Sequence, residues 1–441
     1  MGIYLNPNHV EFQDAVNSDI YIDKTELIAY TNQKIRTLNK NICVSRPRRF
    51  GKSMAANMLV AYYSRGCNSK ELFASFKIAQ HPDFEKHLNQ YNVIHLNVPP
   101  FMDEAENVQE MMQFIKDDII EELLNSFPDV QMPSRKTLEK VFATIFNATK
   151  IPFIFIIDEW DCIFREHKED KAAQEAYLKF LRNLLKNQPY VALVYMTGIL
   201  PIKKYGDHSA LNMFDEYSMT GAEPLEEFVG FTESEVKLLC LDYGMDFTET
   251  KKWYDGYSLN QLSVYNPKSV VEAMMRKKFD NYWTKTETYE SIRTYIEMNY
   301  DGLRDTIIRL IAGERKKIDT TTFTNDMVTF EIQDDVLTLL IHLGYLAYDS
   351  NTKDIFIPNY EIREQFISTV RVLGWNDVMK SLQVSEKLLR ATLNMDEENV
   401  AEIVEQVHRE NTSILQYNNE NSLSYVISLA YYSAKKGLCY V

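Results

Sequence analysis

Residues 41–53 read NICVSRPRRFGKS. The first five, Asn41 to Ser45, are apolar and β-branched enough for a strand, and from Lys52 the run KSMAANMLVAYYS (52–64) has helical spacing with no breaker. The join between them, RPRRFG (46–51), turns a strand directly into a helix and closes on Gly51-Lys52-Ser53. A glycine there lets the backbone approach an anion, and the N–H groups of the helix N-terminus point at it. Lys52 would reach the β and γ phosphates of a nucleotide, and the Ser53 hydroxyl would ligate Mg²⁺. The full pattern G-x-x-x-x-G-K-[ST] begins with glycine where this chain has Arg46, so the match is partial and draws its weight from the flanking strand and helix.

Further apolar strands are expected at 93–98 (VIHLNV), 151–157 (IPFIFII), 190–196 (YVALVYM) and, shorter, at 216–219. Helical patterns at 104–125, 135–148 and 172–186 separate them. Near-continuous apolar strands alternating with helices predict an α/β fold with a parallel sheet covered on both faces. The strand at 151–157 runs straight into Asp158-Glu159, where an ATPase needs one acid for Mg²⁺ and a second to polarise the attacking water. Taken alone, a helix N-cap with an acid in the first turn explains the pair equally well. The next strand ends in Thr197, which would sense the γ-phosphate from a strand inserted between the two motif strands, or simply cap a strand end. Three signals at one sheet edge, in the right chain order, favour nucleotide binding over three coincidences.

Composition narrows the class. The 441 residues are 45% hydrophobic, 12% aromatic and 25% charged, which excludes a disordered or low-complexity chain. A net charge of −15 excludes a globally basic nucleic-acid coat but leaves a local basic groove open. Cys43, Cys67, Cys162, Cys240 and Cys439 are scattered with no C-x-x-C pair, as expected of reduced thiols in the cytoplasm. The N-terminus has no export signal, no apolar run approaches a membrane span, and Asn6 stands where a myristoylation signal wants Ser or Thr. No membrane partner is expected. The eight histidines include no HExxH pair, so no zinc site is expected either.

Several segments together resemble one family: YIDKTELI (21–28), SRPRRFGKS (45–53), IIDEWD (156–161), VYMTGILPIKKYG (194–206), GFTE (230–233), WYDGY (253–257) and VYNP (264–267). The chain is similar to the bacterial AAA-ATPase-like proteins, in which a P-loop ATPase domain of the additional-strand class is usually fused to a C-terminal PD-(D/E)xK nuclease-like domain. The family's loop also carries RPRRFGKS, so Arg46 is a family variant. The resemblance implies phosphate-loop roles for Lys52 and Ser53, with ATP contacted by Arg48, Arg49, Phe50, Gly51, Lys52, Ser53 and Met54. It implies Mg²⁺ held by Ser53 and Asp158, and catalysis by Glu159, Lys52 and Thr197. Trp160 stands where tyrosine is usual, and Asp161 matches without a role readable from sequence.

Beyond about Leu225 strands are expected to give way to helices, starting at 232–243 with a capping box from Thr232 and Glu235. The expected architecture is a P-loop domain (1–225), a helical lid-like region (226–300), a winged-helix-like module (301–370) and the helical start of an incomplete nuclease-like domain (371–441). In the winged-helix-like part, helix 334–343 is acidic and apolar where a phosphate contact would need Lys or Arg, so a packing module is the better reading. The segment 419–424 resembles the opening helix of the family's nuclease-like domain, with Glu420 assisting the metal. The chain given stops at Val441, before the remaining acids, so nuclease activity is not expected of it. The function expected is Mg²⁺-dependent ATP binding and hydrolysis driving movement of the helical part. Its rivals are a non-hydrolysing nucleotide-binding scaffold and the ATPase module of a nucleic-acid-processing protein, with a homo-oligomer or a nucleic acid as partner.

Overall fold

Five strands pair side by side in the same direction, four of them largely apolar and the edge strand β5 polar: β1 (Asn41–Ser45), β2 (Asn92–Asn97), β3 (Phe153–Asp158), β4 (Val191–Gly198) and β5 (Asp215–Tyr217). The computed structural model describes residues 2–202, 211–283, 290–373, 384 and 387–412. The strand order is β2-β3-β4-β1-β5, and every pairing is parallel. All residues of β1, β3 and β4 are buried, as central strands covered on both faces must be. The fold is therefore α/β, a P-loop NTPase sheet of the additional-strand class: β4 is the extra strand between the two motif strands β1 and β3.

The covering helices follow from their spacing. In Leu138–Thr149 the buried positions are Leu138, Val141, Phe142 and Ile145, the i, i+3, i+4, i+7 face of an amphipathic helix. Lys171–Leu185 starts where the Asp170 side chain accepts the N–H of Ala173. The helix expected over 104–125 starts at Val108 and runs to Ser126, after a separate short helix Pro99–Glu104, because Asn107 is extended and its side chain caps the longer helix by accepting from Glu110 N at 3.0 Å. Pro152 lies outside the strand read from Ile151, and β3 begins at Phe153.

The expectation that strands end near Leu225 is corrected. β6 (Phe231–Thr232), β7 (Tyr257–Leu259) and β8 (Leu262–Tyr265) form an antiparallel sheet in the order β6-β8-β7. Its strands are two to four residues long, too short for period-two alternation to stand out. The β7–β8 turn is Asn260-Gln261, both at positive φ (49° and 67°), the geometry a two-residue hairpin needs, without the glycine that usually announces it. The helix Glu233–Tyr243 carries the expected capping box of Thr232 and Glu235.

Further on, β9 (Lys316–Lys317), β10 (Ala347–Asp349) and β11 (Asp354–Phe356) form a second antiparallel sheet, ordered β10-β11-β9, after the helix Gln333–His342. That helix is buried from Asp335 through His342, so it packs on all sides and offers no face to a groove. One hydrophobic cluster runs from Leu5 through the five-stranded sheet to Val370, and a second gathers Ile20 with residues between Phe231 and Tyr282. Lys203, Lys204 and the segment 419–424 lie outside the described residues. No helix among the described residues is long and apolar enough to cross a membrane.

Candidate functional site

The parallel register brings the motif strands to one edge. Val44 pairs with Thr197 and Ser45 with Gly198, while Ile157 pairs with Met196, so β1, β3 and β4 all end there. Beyond β1 the chain turns through Arg49 at φ 66° and Gly51 at φ 92° into the helix Lys52–Tyr63. A Cβ on Gly51 would meet nothing within 4 Å, so glycine is required there by its backbone angle and not by crowding.

Lys52 is buried, and its Nζ donates to the carbonyls of Arg46 at 3.0 Å and Pro47 at 2.9 Å, bracing the loop from inside. Burial pushes its ammonium down to about 8, against the pull of Asp158, Asp161 and Glu159. Those three acids are thus its electrostatic surroundings, although more than a hundred positions separate them from it in the chain. Asp158 accepts at Oδ1 from the Glu159 N–H at 3.1 Å and from the Thr197 hydroxyl. Thr197 is fully buried and reaches the site through that bond to Asp158. Glu159 sits at φ 51°, a left-handed backbone that costs a residue with a side chain about 1 kcal/mol. Such strain is held where the surroundings over-determine it.

A cavity of about 690 Å³ opens at this edge. Arg48, Arg49, Phe50, Gly51, Lys52, Ser53 and Met54 line it together with Glu159, so the whole predicted loop and the second acid meet in one place. Arg48, Ser53 and Met54 are exposed and Arg49 is half-buried, whereas Phe50 is fully buried, edge-on to Tyr257 with ring centroids 5.3 Å apart. Much of the rest of the lining is apolar: Ile20, Tyr21, Ile22, Phe228, Phe231 and Val271. Lys24 and Lys268 add two cations.

Sequence reasoning passed over several of these residues. Lys24 lies within the quoted segment 21–28; its Nζ donates to both Glu235 oxygens at 2.6 and 2.7 Å and to the Glu227 carbonyl at 2.7 Å, tying the N-terminal wall to the helix Glu233–Tyr243. Asp161 acquires a definite task. It is fully buried, and its Oδ2 accepts the N–H groups of Ile199 and Leu200 at 3.0 and 2.8 Å, pinning the chain just past Thr197. Gly198 makes room for this, since a Cβ there would lie 2.7 Å from Trp160 Nε1 and 2.8 Å from Asp161 Oδ1.

The outer side of the loop is held by distant residues. The Arg48 carbonyl accepts from Trp283 Nε1 at 3.3 Å and from Asn266 Nδ2 at 3.4 Å. Pro47 lies against Gly344, where a Cβ would sit 2.8 Å from the proline ring, and the Tyr257 hydroxyl donates to the Gly344 carbonyl at 2.6 Å.

Residues 11–206 match the sequence model of the AAA-ATPase-like family, described as a predicted AAA-ATPase. The match takes in the five-stranded sheet up to β4, the loop and both acids. An uncharacterised protein encoded in the vnfD 5′ region of Azotobacter chroococcum is 22% identical over 279 residues, covering 61% of this chain and 51% of that protein. The chain thus spans about half the length of that relative. Among solved structures, a Walker-type ATPase of Pyrococcus abyssi is 13% identical, with 78% of this chain and 94% of that one covered at a TM-score of 0.38. The ORC2 protein of Aeropyrum pernix, solved in ADPNP–ADP complexes, is 11% identical, with 81% and 97% covered at a TM-score of 0.31. The fold assignment rests on strand order and parallel register, not on these likenesses.

Proposed function

We propose that this protein binds ATP with Mg²⁺ and hydrolyses it, and that the reaction moves the segments downstream of residue 225. The observation that carries the reading is the single cavity lined by both the Gly51-Lys52-Ser53 turn and Glu159. Lys52 and the loop N–H groups hold the phosphates, Arg48 and Arg49 add charge at the rim, and Glu159 orients water for attack on the γ-phosphorus. Thr197 acts through Asp158, to which its hydroxyl donates. The donor set suits Mg²⁺: a hydroxyl at Ser53 and a carboxylate at Asp158 are hard oxygens, and this ion is commonly held by one or two carboxylates plus substrate phosphates. Bound there, the ion would neutralise charge developing on the phosphate oxygens.

The proposed division has a P-loop domain to about 225, a lid-like region to 300, a winged-helix-like module to 370 and a further helical part beyond. Coupling between them would run through the loop's outer contacts, since any shift of the Arg48 carbonyl or Pro47 is felt at Trp283, Asn266 and Gly344. Cys43, Cys67, Cys162 and Cys240 are free thiols, in keeping with a reducing cytoplasm.

Mg²⁺-dependent ATP binding and phosphate release by the wild type, beside Lys52→Ala and Glu159→Gln, test the reading. Lys52→Ala should weaken binding severely. Glu159→Gln should keep ATP and slow hydrolysis by roughly 10²- to 10⁴-fold, the usual worth of a general base. Binding without phosphate release in the wild type would leave a nucleotide-binding scaffold. Identical hydrogen-exchange protection across 225–370 with and without ATP would remove the coupling.

A further inference from the structure

Glu159 lines the cavity, yet one of its oxygens, Oε2, accepts from Arg165 Nη2 at 2.7 Å. Arg165 lies on the short helix Cys162–Glu166, its side chain is only 8% exposed, and it is not among the residues lining the cavity. Its Nε faces Asp161 Oδ2 at 3.4 Å, an ion pair and not a hydrogen bond. The same Asp161 oxygen accepts the N–H groups of Ile199 and Leu200, so the guanidinium is anchored through a fully buried acid to the end of β4. From that anchor its other edge meets an acid that is 36% exposed and faces the cavity.

This is an arrangement for aiming a carboxylate. A glutamate on a flexible stem samples several rotamers, and a group that must present a lone pair to water gains rate from having its direction preset. A planar guanidinium does this better than an ammonium, because its donors are fixed relative to one another and two acids can be held at once. Glu159 is held from the backbone side too, by its N–H bond to Asp158. Both ends of the residue are therefore tied to the sheet edge, one through Asp158 and one through Arg165 and Asp161.

We propose that Arg165 is a positioning residue for Glu159: braced by Asp161 against the end of β4, it aims the Glu159 carboxylate at the water that attacks the γ-phosphate. The proposal rests on the ATPase reading above and adds a residue that lies outside the cavity lining.

The test is steady-state ATP hydrolysis and ATP binding by the full chain as wild type, Arg165→Met, Arg165→Lys, Glu159→Gln and the double variant Arg165→Met/Glu159→Gln. Arg165→Met should lower kcat by about tenfold or more while KM and ATP affinity stay within about twofold and the stoichiometry of ATP binding equals that of wild type, which a loss of folded protein would not leave. Arg165→Lys should recover part of the rate. The double variant should be no slower than Glu159→Gln alone, because an arginine that acts through Glu159 has nothing left to act on. Unchanged or faster turnover in Arg165→Met, or a further equal loss in the double variant, overturns the proposal. Wild type that binds ATP without turning it over sinks the hydrolysis reading and this proposal together, whereas wild-type turnover with an indifferent Arg165→Met sinks only this one. Should Arg165→Met fail to fold by thermal melt, Arg165→Lys runs the same cycle against Glu159→Gln.

Discussion

The sheet edge and the downstream segment 257–345 grip the same loop by different means. From the sheet edge come charges: Lys52 buried beneath the loop, with Asp158, Asp161 and Glu159 as its electrostatic neighbours. From downstream come shape and neutral hydrogen bonds: Tyr257 against Phe50, Gly344 under Pro47, and Trp283 and Asn266 on the Arg48 carbonyl. Charge decides what the cavity can hold and react with. Steric fit decides which parts of the chain feel the loop move.

The strongest way to break that contrast is Gly256→Ala. Gly256 has φ 113°, and a Cβ would lie 1.9 Å from the Pro358 carbonyl oxygen, a backbone atom that cannot swing aside. The corner should lose roughly 3 kcal/mol or more, seen as a lowered melting temperature, given the strain such a residue adds to the clash. If the two regions are separable, ATP binding at moderate temperature should survive. If binding disappears along with the downstream fold, the two form one unit and the contrast fails.

A smaller effect sharpens the charged side. Burial pushes Lys52 down to about 8, and an anionic ligand favours its charged form, so ATP binding must draw a proton from solvent once the pH exceeds that value. Affinity should be flat below about pH 8 and fall as pH rises above it, by at most about tenfold per pH unit for one proton taken up. Whatever binding Lys52→Ala retains should lack this slope. Titration of ATP binding from pH 6.5 to 9.5 checks it, and a slope of the opposite sign would remove Lys52 from the phosphate site.

The smallest expected effect probes the steric side. Trp283→Phe keeps an aromatic ring beside Tyr345 but removes the Nε1 bond to the Arg48 carbonyl, at a cost of about 1 kcal/mol for one neutral hydrogen bond. ATP affinity should barely change, whereas ATP-dependent protection of the downstream segment from hydrogen exchange should weaken. Equal protection in wild type and variant would show that this bond carries no signal.

Legibility in the sequence followed the range of the interactions. β1, β3 and β4 were readable because a strand buried on both faces must be apolar along nearly its whole length, and IPFIFII, YVALVYM and the centre of NICVS are. The hairpin β7–β8 was not, because strands of three and four residues joined by Asn260-Gln261 carry neither a clear alternation nor a turn glycine. In the site, Gly51-Lys52-Ser53 and Asp158-Glu159 announced themselves as contiguous chemistry. Arg165 did not: nothing distinguishes that arginine by type or spacing from a solvated one, and only burial beside Asp161 and Glu159 gives it a task.

The amino-acid order alone settled which segments become central strands and which short runs carry the chemistry proposed to meet a phosphate, since hydrophobic periodicity and loop chemistry are local properties of a chain. Only the folded arrangement decided that Lys52 and Glu159 line one cavity, that Asp161 pins the end of β4, and that Trp283 and Gly344 lean on the loop between β1 and the helix Lys52–Tyr63. Those contacts join residues tens to hundreds of positions apart, and their energies come from burial and geometry that no local pattern encodes.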